Sequence, residues 1–377
     1  MKIVCDNKIP FLRGALEPYA EVVYLPGAET TAEVVKDADG IITRTRTRCD
    51  ASLLEGSRVR AIATATIGFD HIDTAWCEAN GIAWSNAPGC NSWSVKQYIS
   101  SVLAVLAEIH GLRLDTLTLG VVGVGNVGSK VAEVGRAFGM RVLLCDPPRA
   151  RTEGQSAFVD IDTILAESDM VTLHVPLTCA GEDATWHLID AARLARMRAS
   201  QILINSSRGP VVDNAALKET LSRQGILGAV LDVWEGEPDI DRELLGLLDI
   251  ATPHIAGYSA DGKANGTTMS VRYLASRLGL PLANWSASGI PAPEQALEFG
   301  LDATGKTAQE VLTEAVLHTY DVRRDSDALR AAPDSFERLR GDYWIRREPS
   351  AFTLTLRGGS PDIASRLEMI GFKEITI

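Results

Sequence analysis

Leu117-Thr118-Leu119-Gly120-Val121-Val122-Gly123-Val124-Gly125-Asn126-Val127-Gly128 reads as an apolar strand running into a Gly123-x-Gly125-x-x-Gly128 loop, with a helical pattern from about 127 to 138. Placed between strand and helix, the glycines let backbone approach a pyrophosphate at a helix N-terminus. A second strand over 141–145 ends at Asp146, where an acidic residue meets the adenine-ribose hydroxyls and repels a 2′-phosphate. NAD is therefore expected rather than NADP, held by Gly123, Gly125, Asn126, Val127, Gly128 and Asp146. Taken alone, the glycines also fit an ordinary tight turn, and nearby Arg149 would suit a 2′-phosphate.

The same alternation extends in both directions. Strand-like runs at 2–5, 21–25, 40–43, 61–64 and 82–85 precede the loop, with helical patterns such as 31–36 and 74–80 between several of them. After it come 170–175, 201–205, 229–233 and 250–252. Strict alternation of strand and helix implies α/β architecture with two doubly wound parallel sheets. A long helical pattern at 93–110 joins the two blocks. Beyond Pro253-His254 a helix is expected at 267–280, then a Pro-rich passage around Ile290-Pro291-Ala292-Pro293. A tail with strands near 352–356 and 372–377 and a helix at 363–370 reads as a small α+β domain.

The 377 residues carry a net charge of −12, which argues against nucleic acid or an anionic membrane surface as partner. The apolar stretch 102–107 is far short of the ~20 residues a membrane helix needs. The start of the chain has no secretory pattern, and the six cysteines show no C-x-x-C or metal-ligand spacing. Free thiols in a reducing cytoplasm, and no metal, are the expectation.

Three polar residues follow successive strands in the second block. Arg208 precedes Gly209-Pro210, Glu237 lies in Trp234-Glu235-Gly236-Glu237-Pro238, and His254 lies in Thr252-Pro253-His254-Ile255-Ala256-Gly257. Carboxyl ends of parallel strands are where open α/β sheets bind ligands. An arginine can hold a substrate carboxylate, and an imidazole backed by a carboxylate can move a hydroxyl proton. With a nicotinamide, that set suits hydride transfer at a 2-hydroxy or 2-oxo acid.

In the first block Arg44, Arg46 and Arg48 alternate with Thr45 and Thr47 after Ile41-Ile42. If the segment is extended, these guanidiniums share one face and suit a phosphate; an ordinary solvated edge fits equally well. Thr66-Ile67-Gly68 also follows a strand, and Gly68 allows backbone to approach a substrate carboxylate. His71 is read as packing rather than catalytic.

Together these residues resemble the D-isomer-specific 2-hydroxyacid dehydrogenase family. The likeness lies in the glycine loop, His174-Val175-Pro176-Leu177-Thr178, Ser207-Arg208-Gly209, Leu231-Asp232-Val233 through Glu237-Pro238, and Pro253-His254. Asn86-Ala87-Pro88-Gly89-Cys90-Asn91 and Tyr320-Asp321-Val322-Arg323-Arg324-Asp325 extend it essentially end to end. The resemblance implies that Arg208 and Glu237 are catalytic and that His254 is the proton donor or acceptor. It places NAD against Asp146, Val175, Ser207, Asp232 and Gly257. The substrate, a small phosphorylated 2-hydroxy acid, falls near Arg44, Thr45, Arg46, Thr66, Gly68 and Tyr258.

It further implies a discontinuous, flavodoxin-like substrate domain, 1–95 with 256–280, hinged on a Rossmann NAD domain, 96–255. The tail, 281–377, becomes the contact of a homodimer, with Arg346-Arg347 reaching toward the partner's active site. Lys96 departs from the family, which usually has Glu there. Two alternatives share the motifs: a dehydrogenase of 3-phosphoglycerate or another D-2-hydroxy acid, and a dinucleotide-sensing corepressor that binds protein partners.

Overall fold

In the computed structural model, which describes residues 1–376 apart from the side chain of Gln155, the chain folds as two compact units. One comprises 1–91 with 259–292, the other 92–258 with 293–377. Ile377, the last residue of the strand expected over 372–377, lies outside the described residues.

The first unit holds five parallel strands in the spatial order Glu21–Leu25, Lys2–Asp6, Gly40–Thr43, Ala61–Thr64, Ala83–Ser85. Gly40–Thr43 and Ala61–Thr64 are buried throughout, as central strands of a sheet covered on both faces must be. The helix Ala260–Leu278 packs on these two strands. It starts seven residues before the 267 expected, because Ser259 Oγ caps it by accepting the Gly262 N–H at 2.8 Å. Gly262 and Gly266 lower the helix propensity of its first half, which the cap and the packing override.

The second unit holds six parallel strands in the order Ile250–Ala251, Gly228–Leu231, Ile202–Asn205, Met170–Leu173, Thr118–Val122, Arg141–Cys145. Thr118–Val122 is flanked by the next two strands of the chain, Arg141–Cys145 and Met170–Leu173, so its carboxyl end is the switch point of a doubly wound sheet. The helix Ser92–His110 has apolar residues buried on every side, including Tyr98, Ile99, Val102, Leu103 and Leu106. A helix apolar all round must be covered all round. It begins at the first residue of this unit, so the break falls at 91/92 rather than at the expected 95/96.

Part of that cover comes from the tail. Its strands Glu298–Asp302, Thr353–Arg357 and Glu374–Thr376 form a parallel sheet, and its helices Ala308–Thr319 and Pro361–Ile370 pack on Ser92–His110 and on Gly128–Ala137. Gln97 donates to Thr319 Oγ1 at 3.2 Å and to the Arg347 carbonyl at 2.8 Å, and Ser94 to Glu348 Oε1 at 3.0 Å. Leu312, Val316, Phe352, Leu354 and Leu367 share one apolar core with Val102, Leu119 and Val131. The tail thus folds into the nucleotide-binding unit instead of standing apart. Arg346 is fully buried within its own chain, which corrects the expectation that it reaches toward a partner.

Lys96 is buried, its ammonium 2.6 Å from Glu133 Oε2 and 4.5 Å from the Trp93 ring centroid. Burial pushes its pKa down, only partly offset by Glu133. The lysine therefore ties two helices of the same unit together.

Candidate active site

Arg208, Glu237 and His254 emerge beyond the carboxyl ends of three adjacent strands, Ile202–Asn205, Gly228–Leu231 and Ile250–Ala251. Buried Asn205 turns the chain at the first of these ends. Its Oδ1 accepts the Ser207 N–H at 3.1 Å and the Ser207 hydroxyl at 2.8 Å, while Nδ2 donates to the Arg208 carbonyl at 2.9 Å. A Cβ added at Gly209 would sit 2.0 Å from the Trp234 carbonyl oxygen. Only glycine lets the arginine loop approach the glutamate loop this closely.

His254 Nδ1 lies 2.8 Å from Glu237 Oε2, and Glu237 Oε1 accepts the Trp234 N–H at 2.8 Å. Burial pushes the Glu237 carboxyl up, but the His254 hydrogen bond and charge, the Trp234 amide and nearby Arg340 outweigh it and hold the group below its usual range. With Glu237 ionised, Nδ1 carries the hydrogen and Nε2 keeps the lone pair a base needs. His254 has φ +57, a left-handed conformation uncommon outside glycine.

Asp232 underlies this loop. Its carbonyl accepts the His254 N–H at 2.7 Å, and its buried carboxylate accepts the Ile255 and Ala256 N–H groups at 2.8 and 3.0 Å and the Thr252 hydroxyl at 2.6 Å. Burial raises its pKa against those donors and the His254 charge. Asp232, expected against the cofactor, thus also shapes the histidine loop.

Nucleotide-binding residues lie beyond the neighbouring strands. A Cβ at Gly128 would fall 1.8 Å from the Gly123 carbonyl oxygen, whereas one at Gly125 would meet nothing within 4 Å. The outer glycines close the turn and the middle one leaves open space, which fits a pyrophosphate. Asp146 Oδ2 accepts the Val124 N–H at 2.8 Å and Oδ1 the Arg149 N–H at 3.1 Å, so the carboxylate is fixed at the end of its strand. Arg149 is paired with Glu153 at 2.7 Å and bonded to the Val124 carbonyl, which leaves NAD the better fit. Val175 is half-buried against the sheet core, and Ser207 and Gly257 flank the arginine and histidine.

Arg44, Thr45, Arg46, Thr66 and Gly68 belong to the first unit, beyond the adjacent strands Gly40–Thr43 and Ala61–Thr64. Thr66 Oγ1 donates to the Gly68 carbonyl at 2.8 Å, and the Asn86 side chain donates to the Ile67 carbonyl at 2.7 Å, which shapes that loop. The segment after Thr43 is not extended. The Thr47 N–H donates back to the Arg44 carbonyl at 3.4 Å, and buried Thr47 turns inward to bond the Gly27 carbonyl at 3.1 Å. Arg48 pairs with Asp50 at 2.7 Å, so the extended face of three guanidiniums does not form.

Two tail residues meet this site: Arg340, which sequence reasoning missed, and Arg346, which it directed toward a partner's site instead. Arg340 Nη2 donates to the Tyr258 hydroxyl at 3.1 Å, and Arg346 bonds the carbonyls of Ile255 and Ala256. Both reach back more than 80 residues, a range at which no spacing motif operates.

Residues 95–256 match the D-isomer specific 2-hydroxyacid dehydrogenase NAD-binding domain, and 293–371 match a domain of unknown function. Erythronate-4-phosphate dehydrogenase of Bacteroides fragilis is 51% identical over 358 residues, covering 94% of this chain and 99% of the relative. That of Bacteroides thetaiotaomicron is 48% identical over 355 residues, with 94% and 99% covered. The crystal structure of D-lactate dehydrogenase from Aquifex aeolicus, complexed with NAD and lactic acid, is similar at TM-score 0.62 and 28% identity, covering 78% of this chain and all of that one. Fold, site and relatives define an NAD-dependent 2-hydroxyacid dehydrogenase. Within that class, the chain belongs to the erythronate-4-phosphate dehydrogenase family.

Proposed function

We propose that this chain oxidises 4-phospho-D-erythronate at C2 to 2-oxo-3-hydroxy-4-phosphobutanoate, a step of vitamin B6 biosynthesis. The observation that carries the chemistry is the His254 and Glu237 pair at 2.8 Å, beside the Arg208 loop. His254 Nε2 takes the 2-hydroxyl proton, and Glu237 stabilises the imidazolium that forms. Arg208 holds the substrate carboxylate and polarises the oxygen that becomes a carbonyl. NAD, when bound by the glycine loop and Asp146, supplies the ring that accepts the hydride from C2. Arg44 and Arg46 serve the 4-phosphate, with Thr45, Thr66, Gly68 and Tyr258 holding the rest of the substrate.

The test is kcat/KM, followed by NADH absorbance in both directions, on the 4-phosphoerythronate pair beside the 3-phosphoglycerate and D-lactate pairs. The first should be preferred; an equal or higher value on 3-phosphoglycerate overturns the assignment, and no turnover of any pair points to the corepressor reading.

The working form we assign is a cytoplasmic homodimer joined mainly through 281–377, a stretch that carries exposed Leu297 and Ile345. Among the described residues no helix is long and apolar enough to cross a membrane. Sedimentation of the intact protein at micromolar concentration should give a dimer, and a monomer would remove this part of the reading.

A further inference from the structure

The His254 loop is held from two sides. On one, the Ile255 and Ala256 N–H groups donate to the Asp232 carboxylate. On the other, Arg346 Nη2 donates to the Ala256 carbonyl at 2.6 Å and to the Ile255 carbonyl at 3.3 Å. A carboxylate takes both amides and a guanidinium takes both carbonyls, so the peptide directly after His254 has all four polar groups fixed by buried charges.

The guanidinium is itself held in place. It lies 4.4 Å from the Tyr320 ring centroid, Nη1 donates to the Tyr343 hydroxyl at 3.4 Å, and both tyrosine hydroxyls donate to Asp325 Oδ2 at 2.7 Å. Trp344 donates to Asp325 Oδ1 at 3.0 Å. These groups come from three places in the tail, 320, 325 and 343–346, and converge on two carbonyls beside the catalytic histidine.

Burial of a charge in this way is costly, and here Nη1 and Nη2 are matched while Arg346 Nε is buried without a partner. A non-glycine residue with positive φ likewise persists only where its surroundings over-determine it. Both features meet at one loop. We propose that Arg346 is a positioning residue for His254, and that the tail, besides any contact with a partner, fixes the backbone that aims the imidazole at the substrate. The inference rests on His254 being the acid–base group of the dehydrogenase.

A Lys at 346 keeps the charge but not the planar guanidinium, whose Nη2 meets both carbonyls while Nη1 meets the Tyr343 hydroxyl. Arg346→Lys should lower kcat by about 10²-fold, the order expected for a misplacement of about 1 Å at a reacting group. KM for NAD should stay within threefold, because the glycine loop and Asp146 are untouched. Phe352→Leu trims the apolar core of the same tail without touching the Arg346 cluster or the carbonyls of 255 and 256, and should lower thermal stability with kcat unchanged. Arg346→Met should be at least as impaired in kcat as Arg346→Lys when assayed below its melting temperature. Rates are taken on whichever 2-oxo acid the wild-type protein reduces fastest, so a wrong substrate assignment leaves this test intact.

Retention of more than half of wild-type kcat by folded Arg346→Lys overturns the proposal. So does equal loss of kcat in Phe352→Leu, or failure of both Arg346 variants to fold, since each makes Arg346 a residue of general stability.

Discussion

Glu237 holds His254 at 2.8 Å with one carboxylate oxygen while the other is pinned by the Trp234 amide, so the imidazole is oriented by a group that cannot itself swing. General acid–base groups typically contribute ~10²–10⁴-fold. His254→Asn should lose activity in that range with NADH affinity unchanged, and asparagine tolerates the left-handed backbone better than most replacements. More than a tenth of wild-type kcat, with chemistry rate-limiting, would sink the assignment.

Asp146→Ala should weaken the preference for NAD over NADP, because it removes the ribose acceptor and the repulsion of a 2′-phosphate. The engagement of Arg149 by Glu153 predicts a second result: Glu153→Gln, which loosens Arg149, should raise use of NADP on the Asp146→Ala background. The kcat/KM ratio for the two cofactors reads both, and a ratio that never moves places the adenosine elsewhere.

Arg44→Ala and Arg46→Ala should impair turnover of phosphorylated erythronate more than that of unphosphorylated erythronate. A charge-assisted hydrogen bond is worth roughly 1.5–3 kcal/mol, so the difference should be about tenfold or more in kcat/KM. Equal losses on both substrates would leave these arginines a structural role only.

His174 is half-buried, and the loss of solvent around its ring pushes its pKa down to about 3. The unfolded chain takes up that proton near pH 6.5, so between the two values the unfolded state binds more protons. Its neutral form therefore stabilises the fold fully above pH 6.5, and that stability is lost progressively as the pH falls toward 3. Urea midpoints at pH 7.5 and 5.0 should differ for wild type and differ less for His174→Gln. An unchanged difference in the variant would assign the pH effect to other groups.

The α/β alternation was legible because central strands of a parallel sheet are apolar on both faces, so Ile41-Ile42 or Ile202-Leu203-Ile204 stands out without neighbours. The Glu237 and His254 loops were legible because each follows such a strand. The arginine run left two readings open, because alternation after Ile42 does not decide extension while the deciding contact, Thr47 to the Gly27 carbonyl, is made 20 residues away. Arg340 was illegible for the same reason at longer range, and Arg346 was directed to a partner's site when its partners are carbonyls of its own chain: an arginine spaced on no pattern does not reveal what it bonds. The tail read as self-contained because local periodicity reports which face of a helix is apolar and not what covers it.

The helix Ser92–His110 has a temporal consequence. Its side chains Gln97 and Ser94 bond to Thr319 and Glu348, 222 and 254 residues later in the chain. At about 5–20 residues per second on the ribosome, the helix is made roughly 10–50 s before its cover exists. For that interval a helix that buries Tyr98, Ile99, Val102, Leu103 and Leu106 lacks part of its cover and is a ready target for aggregation or for a chaperone. Emergence of the segment around 319–348 from the exit tunnel, rather than completion of the dinucleotide fold, should therefore mark the moment this unit becomes stable in the cell.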